Sequence, residues 1–287
     1  MAKVAIVTDS TSNLPPEVIR NLPIFSVPLH VIWGEKSYLD QVEMSADEFY
    51  ARLKTNKVMP TTSQPSPQAF KDVYVHLLEE GYDILTITIA SKLSGTMDSA
   101  IQAKAMLPGR RIELVDSQSV SLALGYMVLT AARIAGQGAT LKECKTTAEQ
   151  ARSKIGVLFV LKTLEFLARG GRIGGAAAFV GTLLNLKPIL EIRDGRVEAV
   201  ERVRTSARAL DRLLDIFEQR VRLDTCPPLR LAVLHSDTPE EAQEMMERVR
   251  QRFGVGEVSE AIIGRVSPVI GVHAGPGALG IAYMTGM

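Results

Sequence analysis

Three short apolar runs in the first 120 residues end alike. VAIVT (4–8), DILTITIA (83–90) and RIELVDS (111–117) each run into a turn rich in hydroxyl side chains and then into a helical pattern. No other feature constrains the fold as strongly. DILTITIA is apolar almost throughout, as expected of a strand buried on both faces. Strands that alternate with helices build a parallel α/β sheet. Parallel strands bring their C-terminal ends to one edge, and ligands bind at that edge. Each turn also leads into a helix N-terminus, where free N–H groups favour an anion. Ser10, Thr11, Ser94, Thr96, Ser117 and Ser119 would then converge on one side of the sheet. The plainer alternative is that each is an N-cap or a turn former.

The intervals carry their own signals. Pro15-Pro16 open a helix through about Asn21, and Ser45 with Glu48 forms a capping-box start near Ala46. IFSVPLHVIW (24–33) reads as extended, with Pro28 marking an edge or a break. SLALGYMVLTAARIAGQG reads as a long helix ended by glycine. The pattern changes near residues 145–160. KIGVLFVLKT reads as a strand, and PILEIRDGRVEAVERVRT as a hairpin turning at Asp194-Gly195. Helices at about 205–221 and 238–253 alternate with LRLAVLHS and EVSEAIIGRV, and VIGVHAGPGALGIAYMTG reads as two apolar runs split by a Gly/Pro turn. Hairpins mixed with helices predict a second domain with a mixed sheet.

Much familiar chemistry is missing. There is no G-x-x-x-x-G-K-[ST], no strand-linked G-x-G-x-x-G and no G-x-S-x-G elbow. His30, His76, His235 and His273 show no metal spacing. Asp9 follows a strand, but TDST offers no second carboxylate beside it for Mg²⁺ or aspartyl chemistry. Cys144 and Cys226 stand apart and read as reduced thiols of a cytoplasmic protein. A net charge of +1 makes no electrostatic case for nucleic acid or an anionic membrane, and no apolar stretch approaches a membrane span. The chain is poorly equipped for phosphoryl transfer, redox chemistry or hydrolysis unaided.

What remains are anion-binding parts: neutral hydroxyls, glycine turns, Arg169 and Arg172 in ARGGRI, and His273 in GVHAGPG. A carboxylate taken out of water needs donors for its oxygens. Hydroxyls with a His or Arg supply them without a catalytic base. TTSQPSP (61–67) fits, because Pro60, Pro65 and Pro67 stiffen a loop that pre-positions Thr62 and Ser63. Ser66-Pro67 reads as N-cap and first residue of the next helix. For Arg169, Arg172 and His273 ordinary turn roles stay open.

At this point the chain resembles the DegV family, whose best understood members are the fatty-acid-binding subunits of bacterial fatty acid kinase. The likeness runs through VTDSTSNLP, TTSQPSP, SKLSGTMDSA, VDSQSVS, LEFLARGGRIGGAAAFVGTLLNLKPIL, RVRT and SPVIGVHAGPGALGIAY. It implies an N-terminal α/β/α domain with a parallel sheet (1–152) and a C-terminal α/β domain with a mixed sheet (153–287), one fatty acid lying between them. It implies that Thr62 and Ser94 bind the carboxylate, joined by Arg172 and His273, with Ser63, Gly95 and Thr96 in the same blocks. Phe179 and Leu183 in the 174–186 segment, and Ile270, are candidates for the tunnel wall, the alternative for that segment being an ordinary core helix. The resemblance further implies a cytoplasmic carrier in phospholipid metabolism without a cofactor. It would present a long-chain fatty acid to a separate ATP-binding kinase subunit, and would touch a membrane only transiently. Where the family often has an aromatic after S-G-T, this chain has Met97, which bears on tunnel shape. Two other readings remain: a lipid-sensing regulatory module, and an enzyme in which Asp9 or His273 acts directly on a small anion as phosphotransferase or hydrolase.

Overall fold

The computed structural model describes residues 3–179, 187–223, 228–254 and 256–287. The N-terminal part contains β1 (Lys3–Asp9), α1 (Pro16–Ile19), β2 (Ile24–Val27), β3 (His30–Trp33), β4 (Lys36–Leu39), α2 (Ala46–Thr55), β5 (Thr61–Ser63), α3 (Pro67–Glu79), β6 (Tyr82–Thr88), α4 (Thr96–Ala105), β7 (Ile112–Asp116), α5 (Ser121–Gly136) and α6 (Leu141–Ala151). It continues with β8 (Ile155–Val160), α7 (Glu165–Arg169), β9 (Lys187–Arg193), β10 (Arg196–Val203), α8 (Ser206–Leu223), β11 (Leu229–His235), α9 (Pro239–Arg252), β12 (Val258–Arg265), α10 (Pro268–Ala274) and β13 (Leu279–Thr285).

The first sheet is parallel, in the order β2-β1-β6-β7. Alternation along β1 divides its side chains between two faces. Val4 and Ile6 pack towards α5, while Ala5 and Val7 pack against Phe70, Tyr74 and Leu77 of α3. The sheet is thus covered on both sides, as its nearly unbroken apolar strands require. The second sheet is mixed, in the order β10-β9-β8-β13-β11-β12, with β11 and β12 its parallel pair. Its hairpin turns at Asp194 and Gly195, both at positive φ (50° and 74°).

α5 explains how the sheets come together. Its residues are buried almost without interruption from Ser121 to Ala132, so it has no solvent face. A helix apolar all round must be covered all round. One side meets Ile6, Leu85 and Ile87 of the parallel sheet, and the other meets Ala282, Met284 and Val157 of the mixed sheet. α8 and α9 close the far face of the mixed sheet through Leu213, Phe217, Met245 and Met246.

Three features depart from expectation. TTSQPSP is not a stiffened loop throughout, since Thr61–Ser63 form β5, an edge of a small antiparallel sheet ordered β4-β3-β5. The first half of VIGVHAGPGALGIAYMTG is the helix α10, not an extended run. Residues 141–151 form α6, started by a full capping box between Thr140 and Glu143. The break at Pro28 falls between β2 and β3. Among the described residues no helix is long and apolar enough to cross a membrane.

Candidate functional site

The C-terminal edge of the parallel sheet, the small sheet and the inner face of the mixed sheet enclose one apolar cavity. It measures about 990 Å³ out to its open mouth. Its walls come from Leu29, Ile89 and Leu93 on one side, Val157, Phe159 and Leu234 on the other, and Val269 and Ile270 of α10. Phe159 and Leu234 flank Gly280 on neighbouring strands, so a side chain is missing at the middle of that wall.

Thr62 and His273 are in direct contact, and Ser94 and Arg172 line the same cavity. Thr62 sits on β5, paired with Val31 of β3, so its direction is fixed by a strand ladder. Its Oγ1 lies 2.9 Å from Nε2 of His273, in the last turn of α10. Ser94 follows β6, with its Oγ 2.8 Å from Oγ1 of Thr96. Arg172 follows α7 and is held by two main-chain oxygens: its Nε donates to Leu93 O (3.0 Å) and a terminal nitrogen donates to Gly170 O (2.6 Å). Thr62, Ser63, Ser94, Arg172 and His273 all line the cavity, with Gln64 beside them. Gly170 makes this packing feasible, because a Cβ there would collide with Nδ1 of His273.

Burial, and secondly the Arg172 charge, push the His273 imidazole down to about 4. At neutral pH the ring is therefore uncharged, and its buried Nδ1 makes no hydrogen bond among the described residues. Arg172 is the cation on the cavity wall, and no Asp or Glu among the described residues lines it. Such a site accommodates one anion, received by hydroxyls, imidazole and guanidinium, while a second negative charge would be unmatched. Thr62 and His273 resemble a nucleophile and its base, but among the described residues no carboxylate is hydrogen-bonded to the imidazole. The relay of an activated hydroxyl is incomplete.

Other predicted residues fall elsewhere. Thr96 is fully buried behind Ser94, and Gly95 packs under Gln64, where a Cβ would come within 3.0 Å of the amide. Both support the site without lining it. Phe179 lies one layer back, packed with Leu164, Ala176 and Leu190 and covered by the Arg202 guanidinium. Leu183 lies outside the described residues, whereas Ile270 does line the cavity. Arg169 pairs with Glu165 on the exposed side of α7 (2.7 Å). Of the hydroxyl turns, the first reaches the cavity through Thr11, the second through Ser94, and the third through Ser121. Ser10 accepts from Leu29 N–H and so ties the turn after β1 to the segment before β3, while Ser117 donates to Ser119 O within its own turn. Asp9 is a buried cap, accepting from the N–H groups of Thr11 and Ile89. It does have a carboxylate neighbour: Asp40 comes close enough to feel its charge. The apolar wall from β8 and β11 was not signalled, since nothing local tells an inward-facing strand residue that lines a cavity from one that fills a core.

A profile described as an uncharacterised protein of the DegV family matches residues 3–286. A DegV domain-containing protein of Deinococcus radiodurans is 38% identical over 97% of both chains, and one of Halalkalibacterium halodurans 34% identical over 99% of both. A DegV family protein from Thermus thermophilus, solved as a fatty-acid-binding structure, superposes with a TM-score of 0.90 at 38% identity over 99% of each chain. DegV of Bacillus subtilis, described as a fatty acid binding protein, gives 0.89 at 31% identity, covering 99% of this chain and 100% of that one. A stearic-acid-binding protein from Eubacterium ventriosum gives 0.90 at 25% identity, covering 99% and 98%. With its sequence matched from end to end and its two sheets superposed on these structures, the chain belongs to the DegV family.

Proposed function

We propose that this protein binds one long-chain fatty acid, carboxylate at the Thr62–Ser94–Arg172–His273 end and tail along the apolar cavity. We further propose that it presents the carboxylate to a separate ATP-dependent kinase subunit, which converts it to an acyl phosphate. One observation carries the first step: Thr62, Ser94, Arg172 and His273, which can receive an anion, line a cavity whose other walls are mainly apolar. Three solved relatives described as fatty-acid-binding support it. Burying ~14 methylenes at about 0.8 kcal/mol each contributes roughly 11 kcal/mol before the cost of association, about 4–15 kcal/mol, is subtracted. Tight binding thus needs both a covered tail and a satisfied carboxylate. The second step rests on the family resemblance and on the unfinished Thr62–His273 relay, which suits a carrier better than a hydrolase.

Native mass spectrometry of the purified protein, followed by lipid extraction, tests the binding step. A single fatty acid retained at near one per chain is expected. Protein that arrives empty and stays empty with C14–C18 fatty acids would end the reading. Adding ATP and a kinase subunit then separates a carrier from a lipid-sensing module, because only the carrier speeds acyl phosphate formation.

A further inference from the structure

Two helices of this chain begin with Ser-Pro, and they are capped differently. In α3, Ser66 Oγ accepts from Ala69 N–H (3.1 Å), so the helix caps itself. In α10, Ser267 occupies the same place but its hydroxyl makes no cap. The acceptor comes from far away in sequence: Val269 N–H donates to Oδ1 of Asp40 (3.1 Å). α10 is only seven residues long, too short to persist on its own. It nevertheless carries His273 in its last turn.

Asp40 also holds the opposite wall. Its N–H donates to Leu29 O (2.9 Å). Leu29 and Val269 both line the cavity, while Asp40 itself is wholly buried behind them. One residue therefore ties the small sheet to α10 with its main chain on one side and its carboxylate on the other. The turn that delivers it is constrained: Gln41 has φ 62°, a left-handed conformation unfavourable for glutamine, and its amide donates to Ser10 O (2.9 Å). Burial, and to a much smaller extent neighbouring Asp9, raise the Asp40 carboxyl to about 6, against the Ser10 hydroxyl, the Val269 N–H and the Ser267 hydroxyl, which favour its ionised form. At neutral pH the cap is mainly a carboxylate, which accepts from an N–H more strongly than a neutral oxygen does.

We propose that Asp40 is a positioning residue for the ligand site: by capping α10 from the small sheet it sets His273 against Thr62 and fixes the gap between the Leu29 and Val269 walls. The consequence for affinity rests on the fatty-acid reading; the consequence for His273 does not.

The experiment compares wild type, Asp40→Asn, Asp40→Ala and Phe217→Leu, the last a control that loosens a remote core. Hexadecanoate affinity is measured by calorimetry. In the ligand-free protein the His273 ring is followed by ¹⁵N NMR, assigned with His273→Asn. Asp40→Ala should weaken binding about tenfold and move the His273 signal. Asp40→Asn keeps an oxygen acceptor and should stay within about threefold with the signal nearly unmoved. Phe217→Leu should lower Tm and change neither. Should Asp40→Ala not fold, Asp40→Glu, one methylene longer, takes its place and should displace the signal too. An unmoved His273 signal in the truncated or lengthened variant would overturn the proposal, as would an Asn variant as impaired as Ala. Wild type that fails to bind hexadecanoate would count against the fatty-acid reading alone, since the ligand-free signal still decides the positioning role.

Discussion

At the scale of residues, the site is a neutral imidazole between a hydroxyl and a guanidinium. Removing the hydroxyls has a calculable effect: a hydrogen bond to a charged group contributes about 1.5–3 kcal/mol. Thr62→Ala or Ser94→Ala should each weaken fatty acid binding roughly ten- to a hundredfold by titration, with the fold unchanged by circular dichroism. His273 makes binding depend on pH. In the free protein its ring is pushed from 6.5 down to about 4 by burial and by Arg172. The unfolded chain thus takes up this proton before the folded one, so the stability of the free protein should fall as pH drops from 6.5 towards 4. A bound carboxylate favours the protonated ring and raises its pKa in the complex. Affinity should therefore rise as pH falls below neutrality, with proton uptake on binding seen by calorimetry in buffers of different ionisation heat. A His273→Gln variant should bind with no such uptake. Thr62, Ser94, Arg172 and His273 stood out as candidates from their hydroxyl and glycine blocks, but it was the likeness to the DegV family that grouped them into one site. Asp40 did not stand out, because its partner N–H belongs to a residue brought near only by the fold.

At the scale of elements, legibility followed how local the cause was. Strands β1, β6 and β7 show in their apolar runs, and the β9–β10 hairpin shows in Asp-Gly. α6 is marked chiefly by the T-x-x-E of Thr140 and Glu143, since the helix is largely polar and its buried face is only Leu141, Cys144, Ala148 and Ala151. β5 is three residues long and exists as a strand only because β3 is there to pair with it. α10 contains glycine and β-branched residues that disfavour a helix, and packing overrides that preference. Gly271 is where it does so: a Cβ there would come within 2.7 Å of both the Phe49 ring and the Tyr50 hydroxyl. Gly271→Ala should accordingly destabilise the protein by about 1–3 kcal/mol, measured by urea unfolding, despite alanine's better helix propensity. A variant as stable as wild type would show that α10 can move away from α2 without cost.

At the scale of the molecule, the cavity is a space between parts. Its lining is drawn from both sheets and from α10, so an occupant touches all of them and binds the folded state alone. Ligand present at about a hundred times its Kd should add roughly 2.7 kcal/mol of stability. Delipidated protein should then melt roughly 5 °C or more below the loaded form by calorimetry, and recover on adding fatty acid. The sheet order has a further consequence, for how the protein is made. β13 is the latest strand in sequence, yet it lies inside the mixed sheet, between β8 and β11. Until residues 279–285 have left the ribosome, β8 and β11 have open edges and the sheet cannot close. Chains are made at about 5–20 residues per second, so those edges wait for seconds with their hydrogen-bonding groups unpaired. A nascent chain interrupted before residue 279 would be less a weakened protein than a substrate for chaperones and proteases.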